Sequence, residues 1–494
     1  MRRRGVSNGV SIVMVFPPEQ CFHTRSLFSS FFDAHWSSLL CYDWLWSDEK
    51  MKKSFTIIDI IFIFAVTLVF LMGAIAISFP LALAMVPGVA ALVVLCRKKE
   101  ISWHTIGQAS LTGVSRNKNV AWLLAFIGLI LPTWYMAGTI DDLNALFLTF
   151  ISPDYFLTVA FLVTALMSFT VGSSVGSLSI VGIPLMSAGL TLGLPAPLVA
   201  GALVSGSFVG DRSSPLSSSF QLLAFSVELK VQEHLRSITP TMIITVTLTA
   251  LIFFLADSLV AAGGSNTASA AGALDWNSLS LSLVPPVLLL VLIFMGKEMK
   301  TCFSAGILAG GAILLYRGTS LQAWAEGAVT GAGGLNGLIG MLPFVLFILI
   351  VGAYCQIIEE TGMLQPFIER VFHDTSNLTK NTAQTVGVAA GVSLISPNQS
   401  FPILLAGRSL LPHWRTHFHR RELSRTLADS TVVFAGLVPW SLLAILCSTI
   451  VGVPVIVYLP FTVFLWLAPI VTIAYSWVKS KQSLRFETAE SRSS

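Results

Sequence analysis

The sequence contains few charged residues. Only 11% of its 494 residues are Asp, Glu, Lys or Arg, whereas a soluble globular protein carries roughly 25%. Hydrophobic residues make up 54% of the chain, and apolar runs such as 55–79 are too long for an ordinary core helix and long enough to cross a bilayer. The sequence shows no repeated alternation of period two, which a membrane β-barrel would require. We therefore predict an all-α polytopic membrane protein.

Other absences narrow the function. The six cysteines are scattered without a C-x-x-C pair, so neither a disulfide framework nor a metal site is expected. Residues 172–176 match the G-x-S-x-G elbow of serine hydrolases, but all eight histidines lie in polar stretches, so no enzyme is predicted. No G-x-x-x-x-G-K-[ST] phosphate loop is present, and no cofactor is expected. The basic clusters lack interleaved aromatic residues, so no nucleic-acid partner is predicted.

The positions of the charges suggest a topology. The formal net charge is +4, and the Lys and Arg residues cluster between apolar runs, as in loops that remain in the cytoplasm. Basic stretches at 97–118 and 478–485 place the C-terminus, and the chain near Met51, on the inside. We expect about 11–13 crossings of the lipid bilayer. Several runs are short, which favours broken or re-entrant helices.

Composition divides the chain into five parts. Residues 1–50 lack a clean helical period, and Met51-Lys52-Lys53 then leads directly into the first apolar run. We interpret the first 50 residues as a mis-assigned or disordered extension, with Met51 as the true start. The other parts are a first half, a connector rich in small residues, a second half and a cytoplasmic tail, at 51–260, 261–278, 279–478 and 479–494.

The two halves resemble each other in three places, each about 220 residues apart. The pairs are "WYMAGTIDDL" with "GAYCQIIEETGML", "GSSVGSLSIVGIPLM" with "ISPNQSFPILLAGRSL", and "GDRSSPLSSS" with "ADSTVVFAGLVPWS". Internal repeats with interrupted hydrophobic segments are typical of secondary transporters, whose sites lie where the helices are broken. We therefore predict two inverted repeats, in which Asp429 corresponds to Asp211.

Asp211 is the most informative single residue. It ends an apolar run and begins the polar stretch "DRSSPLSSS", and ionisable groups at membrane depth are costly and usually functional. A carboxylate surrounded by oxygen atoms suits Na⁺, and the same carboxylate can hold a proton, so competition between the two would produce antiport. The alternative is a helix cap, with Arg212 among the lipid headgroups. Paired acids at Glu359 and Glu360 could form a relay or a solvated helix end.

Taken together, these motifs resemble the NhaC-type sodium/proton antiporter family of the ion transporter superfamily. The resemblance rests on "GDRSSPLSSS", "IIEETGML", "LSRTLADSTVVFAGLVPW" and "GVPVIVYLPF", and extends roughly from Phe55 to Val478. It implies a polytopic inner-membrane antiporter with inverted repeats that exchanges Na⁺ for H⁺. Some relatives of this kind couple Na⁺ or H⁺ to small carboxylates such as malate and lactate.

The sequence departs from the family pattern at several oxygen-bearing positions. The usual G-T-S-W-G-T reads "VGSSVGSLS", the acid expected after S-P-L-S is Ser218, and a usual aspartate in the second half is Asn398. The positions that persist are Asp211, Ser214-Pro215, Ser217, Glu359, Thr361-Gly362, Asp429 and Pro439-Trp440. Fewer anionic oxygens weaken cation binding, so the fold is better supported than the cargo.

We expect a Na⁺/H⁺ antiporter, with Na⁺ at Asp211. Its ion- and proton-binding residues would be Asp211, Ser214, Ser217, Ser218, Glu359 and Asp429. The broken-helix path would comprise Gly172, Ser173, Ser174, Gly176, Ser177, Asn398, Gln399 and Pro439. The alternative is an ion-coupled exchanger of a small carboxylate or amino acid, in which Arg212 holds the substrate carboxylate. The sequence leaves a homodimer open.

The start at Met51 has a direct test. Protein expressed from the native gene should have an intact mass that lacks residues 1–50, because a methionine with a short basic flank before the first span is how such proteins commonly begin. Intact-mass spectrometry checks this, and a mass corresponding to the full 53.2 kDa chain would contradict it.

Overall fold

The computed structural model describes residues 55–77, 79–151, 153–262, 276–363, 377–396 and 398–493. The extension 1–50 and residues 263–275 of the predicted connector lie outside this described part. Within it the protein is nearly all helical, as predicted, and its one sheet is a short antiparallel hairpin in which β1 (Gly331–Ala332) pairs with β2 (Leu335–Asn336).

The described residues of the first half form eleven α-helices. In chain order they are α1 (Ile57–Ala76), α2 (Leu81–Ala84), α3 (Val86–Lys98), α4 (Trp103–Met136), α5 (Thr139–Phe150), α6 (Phe156–Val171), α7 (Ser174–Ser177), α8 (Ile183–Thr191), α9 (Ala196–Ser213), α10 (Ser218–Ser226) and α11 (Val231–Ala262). A 3₁₀ turn (Pro153–Tyr155) precedes α6, and a π-helical turn (Leu178–Gly182) joins α7 to α8.

The second half begins after the connector. Its described α-helices are α12 (Trp276–Ser282), α13 (Val284–Phe294), α14 (Met299–Tyr316), α15 (Leu321–Thr330), α16 (Leu338–Glu360), α17 (Leu378–Ile395), α18 (Ser400–His417), α19 (Arg420–Ala428), α20 (Thr431–Leu437), α21 (Leu442–Val451), α22 (Val455–Tyr458) and α23 (Val463–Ser493). A 3₁₀ turn (Leu459–Phe461) precedes α23.

Eight helical segments in the described part are long and apolar enough to cross a membrane. A ninth span results if Arg420–Leu437 and Leu442–Val451, which meet at a bend of 56°, are counted together. This count is below the expected 11–13 because other apolar segments are too short or too polar to be counted as membrane spans. Phe156–Val171 and Leu279–Ile293 are shorter apolar helices, and α9 carries Ser, Gly, Asp and Arg among its apolar residues. The protein is thus a polytopic helical membrane protein.

Burial distinguishes the helices of the centre from those at the periphery. The span Ser174–Thr191 is 83% buried, whereas Ile57–Ala74 and Val231–Leu259 are each 28% buried. The peripheral helices expose large apolar side chains, including Ile58 and Leu259. Lipid is as apolar as these side chains, so the exposed faces are those that contact the bilayer. Of the predicted site residues, Ser174, Ser177, Asp211 and Asp429 are among the buried polar side chains.

The spacing of the helices supports an internal repeat. Ala196–Ser213 and Arg420–Leu437 begin and end 224 positions apart, and α10 and α21 also begin 224 positions apart. This spacing agrees with the offset of about 220 inferred from sequence, but it changes one pairing. Pro215 now corresponds to Pro439, whereas Asp211 corresponds to Ala435 rather than to Asp429. The inverted orientation of the repeats stays a prediction.

Helices α6 and α9 approach each other through glycine. A Cβ atom at Gly210 would lie 2.0 Å from the Ser168 carbonyl oxygen, and one at Gly206 would lie 2.5 Å from that of Phe161. The Ser168 hydroxyl joins the two backbones, since it accepts a hydrogen bond from Gly210 N at 3.0 Å and donates to the Ser207 carbonyl. Such close approach is typical of small-residue packing between membrane helices.

Gly210→Ala should therefore destabilise the protein, by about 1–3 kcal/mol if the helices separate as in other overpacked cores. Gly73→Ala is the matched control, because Gly73 also lies within a helix and a Cβ there meets nothing within 4 Å. Thermal unfolding of the purified variants in detergent, followed by the loss of monodisperse protein, measures the difference. Equal midpoints for both variants would contradict the packing argument.

Candidate ion-binding site

The site is built around a break in a membrane helix. Helix α6 ends at Val171, Gly172 adopts a left-handed conformation with φ of 72°, and α7 begins at Ser174. A Cβ atom at Gly172 would lie 2.7 Å from the carbonyl carbon of Leu216, so the break lies against the 214–217 loop. The ends of two helices meet here, and each leaves backbone groups without intrahelical partners.

Asp211 reaches this break from the last turn of α9. Its side chain is buried. The hydroxyl of Ser174 donates to Oδ2 at 2.6 Å, and the backbone N–H of Ser174 donates to Oδ1 at 3.3 Å. The carboxylate therefore lies at the N-terminus of α7, where the aligned peptide dipoles favour a negative charge. Asp211 caps a helix, as one sequence interpretation held, but the helix it caps is the broken one.

The three serines predicted as ligands after Asp211 do not share one environment. The Ser217 hydroxyl donates to the backbone carbonyl of Asp211 at 3.1 Å, and the Ser214 hydroxyl accepts from Leu216 N at 3.3 Å. Both side chains are buried and shape the loop after α9. Ser218 is exposed. The hydroxyl that bonds the Asp211 carboxylate belongs to Ser174, which the sequence placed in the broken-helix path.

Within α7, the other path residues hold the short helix together. Ser173 is its N-cap and accepts from Gly176 N at 3.2 Å. The Ser177 hydroxyl donates to the Ser174 carbonyl at 2.8 Å. The hydroxyls thus satisfy backbone groups that a continuous helix would pair by itself. Residues 172–177 therefore form an interruption lined by serine hydroxyls, and its role as a substrate path stays a prediction.

The Arg212 side chain pairs with Asp429 from the second half of the chain. Its side chain and that of Asp429 are both 0% exposed and form an ion pair, with Nε donating to Asp429 Oδ1 at 2.6 Å. The guanidinium also donates to the Ser213 hydroxyl at 3.0 Å, to the Thr241 hydroxyl at 2.8 Å and to the Ile238 carbonyl at 3.3 Å. Arg212 is thus buried within protein, not among headgroups as the helix-cap interpretation assumed.

Asp429 itself lies at the end of α19, where that helix is interrupted before α20 begins. The ion pair therefore joins the two halves of the chain. Sequence reasoning missed Thr241 and Ile238 as partners of Arg212. The one available signal was Thr241, which belongs to a series of threonines that continues through Thr245 and Thr249 along the apolar helix α11.

A second break separates α17 from α18. Gln399 connects it to both halves, since its Oε1 accepts from the Ser219 hydroxyl at 2.5 Å and its Nε2 donates to the Val432 carbonyl at 3.1 Å. The side-chain oxygen of Asn398 accepts from Ser400 N at 3.1 Å. These contacts place Asn398 and Gln399 at a second helix interruption, next to the serine run of the first half.

Pro439 and Glu359 lie around this second break. Pro439 precedes α21 and coincides with the 56° bend, and the neighbouring Trp440 indole donates to the Leu394 carbonyl at 2.9 Å. Glu359 is partly exposed and pairs with Arg116 on α4 at 3.2 Å. It lies one turn beyond Cys355, whose sulfur accepts from the Ser396 hydroxyl at 3.8 Å. The role of Glu359 as a proton carrier stays a prediction.

The two broken helices and the buried carboxylate define a class, that of multi-pass membrane transporters with sites at helix interruptions. Comparison with known proteins identifies the family. The profile of the Na⁺/H⁺ antiporter family matches residues 207–479, a region that includes Asp211, Glu359 and Asp429. The chain belongs to the Na⁺/H⁺ antiporter family, as the sequence resemblance indicated.

Curated relatives cover most of the chain. The Na⁺/H⁺ antiporter NhaC of Bacillus subtilis is 26% identical over 405 residues, covering 76% of this chain and 88% of the relative. The malate-2H⁺/Na⁺-lactate antiporter of the same organism is 28% identical over 389 residues, covering 74% and 82%. The arginine/ornithine antiporter ArcD of Halobacterium salinarum is 26% identical over 421 residues, covering 78% and 84%. All three are named as antiporters.

The Arg212–Asp429 pair makes a testable contribution to stability. Arg212→Gln should destabilise the protein by about 3–5 kcal/mol, because it leaves a buried carboxylate without its counter-charge. Arg212→Gln combined with Asp429→Asn removes both charges and should recover most of that loss. A double-mutant cycle on thermal midpoints in detergent measures the coupling. Additive effects of the two single changes would contradict a direct pair.

Proposed function

We propose that this protein exchanges Na⁺ for H⁺ across the membrane, and that Asp211 is the carboxylate for which the two cations compete. The proposal is carried by one observation. Asp211 is a buried acid whose two oxygens are bonded by Ser174 at a helix break, whereas the neighbouring acid Asp429 is already paired with an arginine. Buried carboxylates without a paired cation at membrane depth mark ion and proton pathways.

The chemistry of the break suits both cations. Na⁺ is a hard ion that takes oxygen ligands, and the Asp211 carboxylate and the Ser174 hydroxyl provide oxygens. The last carbonyls of α6 provide more, because a helix C-terminus leaves its carbonyls without intrahelical partners. The proton instead binds a carboxylate oxygen directly. The two loaded forms exclude each other, and this exclusion couples the fluxes in opposite directions.

We infer the wider setting from the family and the charge distribution. The protein lies in a bacterial inner membrane with its C-terminus in the cytoplasm, where the basic stretch 478–485 would remain. It acts as a transporter driven by ion gradients rather than as an enzyme, and needs no cofactor other than the transported ions.

Exchange of a small carboxylate or an amino acid, coupled to Na⁺ or H⁺, is the second candidate, and the malate/lactate and arginine/ornithine relatives favour it. In that interpretation Arg212 would bind the substrate carboxylate. The structure does not favour this role, because the Arg212 guanidinium already donates hydrogen bonds to four groups. An organic anion would have to displace Asp429, and would leave that carboxylate buried and unpaired.

Asp211→Asn should abolish cation-dependent proton movement without preventing membrane insertion, because an amide cannot exchange a proton for Na⁺. The assay is collapse of a preformed pH gradient in inverted vesicles on addition of Na⁺, Li⁺ or K⁺. Asp257→Asn is the matched control. Asp257 is also buried and caps a helix N-terminus, where it accepts bonds from Leu157 N and Thr158 N at 2.9 and 3.0 Å.

The control variant should retain cation-dependent exchange per molecule inserted. Normal exchange by Asp211→Asn would show that Asp211 is only a cap and that the site lies elsewhere. No response of the unaltered protein to any of the three cations, in vesicles shown to contain it, would support the second candidate, exchange of a small carboxylate or amino acid. Uptake of malate, lactate and arginine would then be measured in the same vesicles.

A further inference from the structure

A short helix packs against the helix that continues from the break. Helix α5 has 12 residues and is therefore about 18 Å long, too short to cross the hydrocarbon core of a bilayer. It packs along α8, which follows α7 after the π-helical turn. Asp211 and Ser174 at the break are buried, so a cation that arrives from the α5 side reaches them only after part of the protein has moved.

The charges of the chain indicate on which side of the membrane α5 lies. The basic stretch 97–118 includes the start of α4 and belongs in the cytoplasm. Helix α4 is long and apolar enough to cross the membrane, and Ala137 and Gly138 alone separate its end from the start of α5. Helix α5 therefore lies at the outer end of α4.

The joint between α4 and α5 is a single glycine. Gly138 has a φ of 71°, in the left-handed region, which glycine enters without steric cost. A Cβ atom at this position would lie 2.7 Å from a guanidinium nitrogen of Arg317, and the same guanidinium donates a hydrogen bond to the Ala137 carbonyl at 2.6 Å. Such a residue can absorb the backbone rotation that a hinge requires.

The first turn of α5 is held by a polar latch, formed by Asp142 with Ser282 and Arg317 from the second half. The Ser282 hydroxyl donates to Asp142 Oδ2 at 2.5 Å, and Arg317 Nη2 lies 3.4 Å from that hydroxyl and 3.8 Å from Asp142 Oδ2. The side chains of Asp142 and Arg317 are 26% and 33% exposed. Exposed ion pairs contribute little to stability, so this latch can open at low cost.

The closed position of α5 leaves polar atoms unsatisfied. Thr139 Oγ1 and Asn144 Oδ1 are buried and have no hydrogen-bond partner in the described part of the chain, and such atoms cost free energy that water would recover. Asn144 also donates from Nδ2 to the Thr191 hydroxyl at the end of α8, at 3.3 Å. Burial of Ile140 and Leu143 favours the closed position, whereas the unsatisfied atoms favour opening.

We propose that α5 is an outer lid, which turns about Gly138 and must leave α8 before a cation can pass between the outer solution and Asp211. The latch of Asp142, Ser282 and Arg317 holds this lid closed. The inference rests on the proposed exchange at Asp211 and adds the device that controls access to that site from outside. The latch residues touch no cargo in this scheme and act through the position of α5.

The first test fixes the lid to α8. Asn144→Cys is combined with Thr191→Cys in the purified full-length protein, and the two thiols are joined in proteoliposomes by a short bis-methanethiosulfonate linker. We expect Na⁺-dependent H⁺ flux to fall by the fraction of protein that is linked, and reduction with dithiothreitol to restore it. The unaltered protein, treated in the same way, controls for native cysteines, of which the four in the described part are buried.

A matched pair links neighbouring elements without holding α5. Tyr155→Cys with Phe254→Cys joins the turn before α6 to α11, where the two native rings stack with centroids 5.7 Å apart. We expect this linked protein to retain its flux. Full flux from the completely linked Asn144/Thr191 pair would overturn the proposal, and equal loss from both linked pairs would count against α5 as the moving element.

The second test measures opening without transport. Thr139 is 0% exposed beneath the closed lid, so Thr139→Cys should react slowly with a membrane-impermeant methanethiosulfonate added to the outer face. Adding Arg317→Gln removes the cation of the latch and should make this reaction up to about fivefold faster, the effect of an ordinary exposed ion pair. Arg317→Gln without Thr139→Cys is the control and should stay unlabelled.

The two tests separate the lid from the proposed function. A labelling rate that does not depend on Arg317, or labelling from the cytoplasmic face alone, would overturn the lid. Absence of Na⁺-dependent H⁺ flux from the unaltered protein, together with the expected labelling of Thr139→Cys, would refute the proposed Na⁺/H⁺ exchange and support the lid.

Discussion

The cost of a buried charge is the constraint on which this structure depends. In the low-dielectric interior each carboxylate must find a cation or a set of hydrogen-bond donors. The buried acids of the described part solve this in two ways. Glu422 and Asp429 pair with arginines, whereas Asp257 and Asp211 accept hydrogen bonds at the N-termini of helices. The second solution adds no counter-charge, so it leaves room for a transported cation.

The helix break makes the second solution available at the centre of the protein. An unbroken helix satisfies its own backbone, whereas the interruption at residues 172–173 presents a free N-terminus to Asp211. The serines around the break satisfy the remaining backbone groups, as Ser173 and Ser177 do within α7. The polar run at 206–221 thus lies where a helix ends inside the membrane and its backbone must be bonded by protein.

The repeat and the charges do not follow the same symmetry. At the spacing of 224 positions, Ala435 corresponds to Asp211, Gly436 to Arg212, and Ser205 to Asp429. The two halves therefore have similar helices but different charges at corresponding positions. Gly436 could not hold a larger residue without displacement, since its Cβ would lie 2.4 Å from Leu465 and 2.6 Å from Phe208. The ion pair depends on this asymmetry, because each half provides one of its members.

The sequence by itself determined the helical membrane fold, the approximate repeat spacing and the interruption near Gly172, and it predicted Asp211 as a site residue. These features are local, since they depend on apolar runs, on glycine and hydroxyl clusters, and on a carboxylate beside them. Only the tertiary structure decided the partners. Ser174 rather than Ser214, Ser217 or Ser218 bonds the Asp211 side chain, and Arg212 pairs with Asp429 from the other half. Side-chain direction on packed helices sets these contacts, and residue type in the sequence does not encode it.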